Sequence, residues 1–213
     1  MRFTTFFFDL DDTLYPPESG VWKEIRNRIN LYMQDRLGIP ASEIESLREQ
    51  YFREYGTTLR GLQANHQVDM DEYLAFVHDV PLENHLHPNP ELRLALESIT
   101  ANKFIFTNAD CAHAARVTKA LGLDGVFDGC IDVHAIAPHC KPMPESFQLA
   151  LAAAGNPIPR NCVLLDDQGR ITRAARALGM YTVLVGKEEP GFVADEALVT
   201  LADLPALVKY WRL

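Results

Sequence analysis

Short apolar runs recur along the chain and alternate with segments of helical period. The first run, 3–8, ends in three phenylalanines and has no polar alternation, which is typical of a strand buried on both faces of a parallel sheet. Similar runs follow at 103–107, 130–133, 162–165 and 181–185. Between them, apolar residues recur with helical spacing at 90–99, 144–154 and 171–178. This alternation predicts an α/β fold with a Rossmann-like, mostly parallel sheet at its core.

The strand spacing is interrupted once, between the first and the second run. About 90 residues separate these runs, whereas a βαβ unit needs only about 30. From Val21 onwards, apolar residues recur at every fourth position, which predicts an amphipathic helix. Ser42 with Glu45, and Asp69 with Glu72, have the pattern of a capping box at the start of two further helices. The interruption therefore predicts a helical insertion.

The insertion suggests a division into two domains. We expect a core domain formed by 1–15 and 89–213, and a small α-helical cap domain formed by 16–88. A helical module inserted after the first strand is expected to act as a lid over a site on the core. We expect a monomer or a weak homodimer.

Composition and charge narrow the class of protein. The chain has 213 residues, 47% of them hydrophobic, and a net charge of −9 from 29 acids and 20 bases. No apolar run approaches the ~20 residues of a membrane span, and no basic run favours nucleic acid or an anionic membrane as a partner. The four cysteines form no C-x-x-C pair, which favours a reduced, cytoplasmic setting. These features predict a soluble globular protein.

Polar side chains follow the predicted strands. Because ligands bind beyond the carboxyl ends of strands in an open α/β sheet, these side chains are expected to converge at one edge. Clustered carboxylates repel each other, and a hard divalent cation such as Mg²⁺ is the simplest remedy. The polar residues at the strand ends, or in the loop that follows, are Asp9, Asp11, Asp12, Thr107, Asn108, Lys141, Asp166 and Asp167.

This set of groups suits phosphoryl transfer. A carboxylate beside Mg²⁺ is able to attack phosphorus and form an aspartyl phosphate. A second carboxylate two residues further along can protonate the leaving oxygen and later activate water. A lysine and a threonine hydroxyl can hold the non-bridging oxygens as charge develops. The expected partner is therefore a small phosphorylated metabolite.

Four motifs in this order resemble those of the haloacid dehalogenase (HAD) superfamily of phosphohydrolases. The resemblance covers essentially the whole chain and implies a Rossmann-like core with an inserted cap. The motifs are Asp9-Leu10-Asp11-Asp12-Thr13-Leu14-Tyr15, Thr107-Asn108, Lys141-Pro142-Met143-Pro144 and Asp166-Asp167.

The resemblance also implies a role for each motif residue. Asp9 would be the nucleophile and Asp11 the general acid/base, while Lys141 would join Thr107 and the Asn108 backbone in binding the phosphoryl group. Mg²⁺ would be held by Asp9, the Asp11 carbonyl and Asp167, with Asp166 close behind. Dehalogenases of the superfamily typically lack an acid two residues after the nucleophile, so Asp11 favours a phosphatase.

Segments of the helical insertion look like the pyrimidine 5′-nucleotidase branch, which takes part in nucleotide metabolism. The similar segments are 55–62, 76–79 and 106–109. They imply a nucleoside monophosphate such as UMP or CMP as substrate. Thr57, Thr58 and Arg60 are the candidate substrate-binding residues of the cap, since they offer a polar rim to a base or ribose.

Other interpretations of these residues stay open. The substrate is alternatively another small ester, such as phosphoglycolate or a sugar phosphate, and a non-catalytic nucleotide or phosphate sensor of the same fold is a further alternative. Asp9 and Asp11 alternatively only cap a turn. We expect His113 to be a solvated helix histidine rather than part of the site.

The fourth motif departs from the branch. Gln168 stands where the branch usually has serine, and Ile171 where it has asparagine. A polar partner of the metal carboxylates is then missing, which is expected to weaken metal affinity by about 10- to 100-fold unless Gln168 or Arg170 substitutes.

Overall fold

The computed structural model describes residues 3–186 and 193–211. The chain divides into two compact units, one formed by Met1–Glu18 with Leu86–Leu213 and the other by Ser19–His85. No helix in the described part of the chain has the length and apolar character needed to cross a bilayer.

The first unit is built on a parallel sheet. Among the described residues the sheet has six strands in the order β3-β2-β1-β4-β5-β6, and every neighbouring pair is parallel. This confirms the predicted α/β, Rossmann-like core. The strands are β1 (Thr5–Phe8), β2 (Asn102–Phe106), β3 (Gly129–Ile131), β4 (Cys162–Asp166), β5 (Tyr181–Val185) and β6 (Glu196–Leu198).

The two central strands are apolar because both of their faces are covered. Every residue of β1 and of β4 is buried. The register pairs Phe8 of β1 with Leu165 of β4, so the residues that follow each strand emerge side by side. The strand order reverses direction between β1 and β4, and ligands bind at such a switch point. The fold therefore places its natural binding crevice beside Asp9 and Asp166.

The second unit is mostly helical, and the first unit contains helices as well as the sheet. The first four α-helices belong to the second unit and the others to the first. They are α1 (Val21–Asp35), α2 (Ala41–Tyr55), α3 (Thr58–His66), α4 (Met70–Val77), α5 (Pro90–Glu97), α6 (Cys111–Ala120), α7 (Pro144–Ala153), α8 (Gly169–Ala177) and α9 (Leu204–Trp211).

The predicted helix starts in the second unit have mixed outcomes. Asp69 caps α4 as expected, because its side chain accepts a hydrogen bond from the Glu72 amide at 2.8 Å. The capping box at Ser42 is wrong: α2 begins at Ala41 after Pro40, so Ser42 lies inside the helix. Helix α3 was not predicted, because its nine residues include Gly61 and are too few to show a clear apolar period.

A close approach of α2 and α3 explains the glycine in α3. A Cβ atom added at Gly61 would lie 2.2 Å from the Tyr51 Cγ and 2.4 Å from the Tyr51 Cβ. Shortening the Tyr51 side chain to alanine would not remove the second of these contacts. The packing of the two helices therefore requires a residue without a side chain at this position.

We predict that Gly61→Ala destabilises the protein although alanine is the better helix former. Helix propensity alone favours alanine by about 1 kcal/mol. Overpacking costs about 1–3 kcal/mol, and the clash with Tyr51 is severe, so we expect a net loss of about 2 kcal/mol. Urea unfolding measures this change in the free energy of unfolding.

Ala64→Gly is the control for this prediction. Ala64 is exposed in the same helix, so its replacement calibrates the propensity effect without a packing change. A Gly61→Ala protein as stable as wild type, or more stable, would contradict the steric explanation.

Candidate active site

A buried lysine joins the ends of three strands at the switch point. Its side chain is 1% exposed, and its Nζ lies 2.6 Å from Asp9 Oδ1 and 2.8 Å from Asp166 Oδ2. The same Nζ of Lys141 donates a third hydrogen bond to the carbonyl of Phe106 at 2.8 Å. Three acceptors satisfy all three protons of the ammonium group.

The lysine stays charged in spite of its burial. Burial lowers the pKa of Lys141, but attraction to Asp166 and Asp9 outweighs this effect and holds the pKa above its ordinary value. A charged ammonium group therefore lies between two carboxylates, and it fixes the orientation of Asp9.

Asn108 positions the loop that carries the lysine. Its side-chain Oδ1 accepts a hydrogen bond from the Lys141 amide at 2.8 Å, and its Nδ2 donates to the Lys141 carbonyl at 3.2 Å. This two-way clamp holds the backbone of a residue 33 positions away. From the sequence, a role is expected only for the Asn108 backbone, so this function of the side chain is an additional finding.

Three carboxylates lie together beside the lysine. Oxygen atoms of Asp9, Asp166 and Asp167 all lie within 4.8 Å of one another. Burial raises the pKa of Asp9 to about 7, since attraction to Lys141 offsets only part of the desolvation. Burial, together with repulsion from Asp9 and Asp166, raises the pKa of Asp167 to about 9. The single positive charge of Lys141 therefore does not balance the three carboxylates of the cluster.

The cluster fits a hard divalent cation. Asp167 Oδ1 is buried and makes no hydrogen bond within the described residues. Both oxygens of Asp166 are occupied, because Oδ2 binds Lys141 and Oδ1 accepts from the Gln168 amide at 2.9 Å. Oxygen donors with uncompensated charge are what Mg²⁺ prefers. Asp9 and Asp167 would therefore be the better placed ligands for such a cation, while Asp166 binds the lysine.

Asp11 lies between two buried side chains of the same unit. The Tyr15 hydroxyl donates a hydrogen bond to Asp11 Oδ1, and His113 Nε2 lies 2.9 Å from the same oxygen. Burial, with the charge of Asp11, raises the pKa of Tyr15 well above its ordinary value, so the phenol keeps its proton.

The expectation of a solvated His113 is wrong. His113 is 1% exposed and lies in the first turn of α6, where Asp110 caps the helix by accepting from the His113 amide at 2.6 Å. The sequence signal that was available is the position of His113 near the second motif, because α6 starts three residues after Asn108.

Two threonines support the site through local hydrogen bonds. Thr13 Oγ1 donates to Asp9 Oδ2 at 3.3 Å, and Thr107 Oγ1 accepts from the Ala109 amide at 3.0 Å. Thr107 is buried directly after β2, and its own amide continues the sheet by donating to Ile131.

The candidate cap residues belong to the second unit. The Thr57 hydroxyl caps α3 by accepting from the Arg60 amide at 3.2 Å, and Thr58 is half-buried at the first position of that helix. Arg60 is 8% exposed, and its Nη1 donates to Gln63 Oε1 at 2.8 Å. These contacts are structural ones within the unit, so substrate binding by these residues stays a prediction.

Position 171, which follows the fourth motif, is apolar and buried, as the sequence indicates. Ile171 is 1% exposed and belongs to the apolar core cluster with Phe7 and Leu164. The Gln168 side chain accepts from Arg170 Nε at 2.9 Å, while the Gln168 amide holds Asp166. The side chain at 171 therefore offers the carboxylates no polar partner.

Comparison with known proteins agrees with this arrangement. A sequence model described as a haloacid dehalogenase-like hydrolase matches residues 3–179. Phosphate metabolism protein 8 of Saccharomyces cerevisiae is 33% identical to this chain, over 84% of the chain and 60% of the yeast protein. The chain thus spans about three-fifths of the length of that relative.

Solved structures share the fold. YfnB from Bacillus subtilis, whose structure holds magnesium, has a TM-score of 0.63 and 15% identity, over 98% of this chain and 99% of its own. L-2-haloacid dehalogenase from Xanthobacter autotrophicus has a TM-score of 0.63 and 18% identity, over 98% and 99%. Identities this low show the fold alone, and a dehalogenase has this fold too. The family model, however, matches most of the chain. The chain therefore belongs to the family of haloacid dehalogenase-like hydrolases.

Proposed function

We propose that this hydrolase is a Mg²⁺-dependent phosphomonoesterase that acts through an aspartyl phosphate on Asp9. The observation that carries the proposal is the position of Asp9 at the switch point, held by Lys141 at 2.6 Å beside two further carboxylates. A second acid, Asp11, follows two residues later and is held by Tyr15 and His113. Transfer of a phosphoryl group needs both a nucleophile and a proton donor.

The first step forms the bond between Asp9 and phosphorus. Lys141 orients the Asp9 carboxylate and favours its ionised form, and its charge also stabilises the phosphoryl oxygens. As the bond from phosphorus to the leaving oxygen breaks, Asp11 donates its proton to that oxygen. Thr107 and the Asn108 backbone bind the phosphoryl group.

The second step hydrolyses the aspartyl phosphate. Asp11, now ionised, accepts a proton from a water molecule, and the water oxygen attacks phosphorus. The bond to Asp9 breaks, inorganic phosphate leaves, and both carboxyl groups return to their starting states. The same residue serves as acid and then as base.

Asp9, Asp167 and the Asp11 carbonyl would hold the magnesium ion, with Asp166 close behind. When bound, Mg²⁺ supplies positive charge that lowers the repulsion between the anionic substrate and the carboxylates. The buried Asp167 Oδ1, which makes no hydrogen bond within the described residues, supports this assignment.

A pyrimidine nucleoside 5′-monophosphate is the substrate that we propose. The support is the resemblance of the helical insertion to the pyrimidine 5′-nucleotidase branch, with Thr57, Thr58 and Arg60 as candidate binding residues and the helical unit as a cap. The name of the yeast relative refers to phosphate metabolism, which agrees with a phosphorylated substrate. We propose a cytoplasmic location, which the four free thiols support.

Phosphate release from a panel of monoesters tests the reaction and the substrate. With Mg²⁺ present, we expect the highest kcat/KM on UMP or CMP, and lower values on purine nucleotides, phosphoglycolate and sugar phosphates. A preference for one of the last two would identify the other substrate class. Metal-dependent nucleotide binding without release of phosphate would contradict catalysis and indicate a sensor.

We predict that Asp9→Asn lowers kcat by at least about 10³-fold, because an amide cannot replace the carboxylate nucleophile. Removal of the metal with a chelator should have the same effect, and added Mg²⁺ should restore activity in wild type only. Asp203→Asn is the matched control, since Asp203 is exposed and the change in charge is the same. Activity of Asp9→Asn near that of wild type would exclude Asp9 as the nucleophile.

We predict that the protonated carboxyl groups of Asp9 and Asp167 stabilise the metal-free protein at low pH, and that this contribution is lost as the pH rises from about 4 to about 9. The folded-state pKa values of Asp9, about 7, and Asp167, about 9, lie above the ordinary value of 3.8. At these two groups the folded state therefore binds more protons than the unfolded state in this window, and their contribution to the free energy of unfolding falls with pH. Mg²⁺ binds the deprotonated carboxylates, so its stabilising effect should grow over the same range.

Thermal unfolding from pH 5.5 to 8.5, with chelator and with Mg²⁺, measures this linkage. The difference in Tm between the two conditions should increase with pH in wild type. Asp167→Asn removes one carboxylate with a raised pKa, so it should flatten the increase. A metal effect on Tm that is constant or larger at low pH would argue against these ligands.

A further inference from the structure

Two buried side chains contact the same oxygen of Asp11. Tyr15 lies in the loop after β1 and donates its hydroxyl proton to Asp11 Oδ1. His113 lies in α6, 102 residues from Asp11, and its Nε2 is 2.9 Å from Oδ1. The His113 side chain is fully buried, whereas the Asp11 side chain is 16% exposed. One oxygen of the carboxyl group is thus held from the protein interior.

The two contacts decide which oxygen of Asp11 exchanges a proton. With His113 as its Nε2–H tautomer, Oδ1 accepts hydrogen bonds from two fixed donors and is a poor site for a proton of its own, so the proton of the neutral acid is carried by Oδ2. Rotation of the planar carboxyl group is also restricted, because one of its oxygens is held by donors from a loop and from α6. Neither donor needs to gain or lose a proton when Asp11 changes from acid to base.

We propose that His113, as its Nε2–H tautomer, and Tyr15 are positioning residues that direct Asp11 Oδ2 toward the leaving-group oxygen. This inference rests on the proposed function, in which Asp11 is the general acid and base. Sequence motifs alone give no role to His113, and the contact with Asp11 is what assigns one. The hydrogen bond from His113 to a carboxylate also has a charged acceptor, which makes it stronger than a neutral one.

The leaving group provides a test that separates positioning from simple structural support. An alkoxide such as the 5′-oxygen of a nucleotide needs a proton to leave, whereas p-nitrophenolate leaves without one. The kcat/KM value reports the steps up to the first phosphoryl transfer, in which Asp11 acts as the acid. Loss of Asp11 positioning should therefore lower kcat/KM on the alkyl ester more than on p-nitrophenyl phosphate.

The experiment compares wild type with His113→Leu, Tyr15→Phe and His113→Gln. We expect His113→Leu to lower kcat/KM on the best alkyl monoester by about 10- to 100-fold, as for loss of a charged hydrogen bond, and on p-nitrophenyl phosphate by less than about 3-fold. Tyr15→Phe should shift the ratio in the same direction. His113→Gln keeps an N–H donor and should recover most of the loss.

A second readout comes from kcat on p-nitrophenyl phosphate. The hydrolysis of the aspartyl phosphate still needs Asp11 as a base, so kcat should fall and a burst of p-nitrophenolate should be seen in both donor-deficient variants. His134→Leu is the control, because His134 is an exposed histidine of the same unit. It should change neither the ratio of kcat/KM values for the two esters nor kcat on p-nitrophenyl phosphate.

Equal losses of kcat/KM on the two esters would overturn the inference and leave His113 as a structural residue. Circular dichroism and Tm are measured for each variant; if His113→Leu does not fold, Tyr15→Phe decides, since it removes a single hydroxyl group. Failure of the proposed function itself is distinguishable, because wild type would then release phosphate from neither ester.

Discussion

The buried ammonium group of Lys141 is the contact on which the site depends. It binds the carbonyl at the end of β2, the carboxylate directly after β1 and the carboxylate at the end of β4. These are three adjacent strands of the sheet. Burial of one charge in this place is costly unless it is paired and hydrogen-bonded, and the arrangement meets both conditions. The same interaction therefore holds the carboxyl ends of three strands together and orients Asp9.

The sheet order explains why residues so distant in the sequence meet. Asp9 and Asp166 are neighbours only because β1 pairs directly with β4. The first strand thus lies between β2 and β4, which both follow it in the chain. Lys141 follows β3, two strands away from β1, so its long side chain has to extend past the end of β2. The Asn108 clamp on the Lys141 backbone fixes the start of this extension.

The sequence predicted the sheet and the meeting of Asp9, Lys141, Asp166 and Asp167 at one end of its strands, because both leave local signals. Apolar runs indicate buried strands, and polar residues directly after such runs, as at Asp9, indicate a binding edge. The position of His113 shortly after the second motif is a weak signal, and its contact with Asp11 depends on how α6 packs in three dimensions. Helix α3 was missed for a different reason: it is short, and Gly61 meets a packing need that propensity does not describe. Spacing along the chain thus identifies elements and motifs better than it identifies partners.

The fourth motif shows how packing and site chemistry compete for one position. Ile171 belongs to the apolar core cluster, so this position carries no polar group that would hold the carboxylates. The protein compensates at Asp166, which the Gln168 amide and Lys141 both bind. It does not compensate at Asp167, whose buried Oδ1 makes no hydrogen bond within the described residues. A bound cation would satisfy this oxygen, so in the proposed magnesium site the metal would supply stabilisation that a polar side chain at 171 would otherwise share.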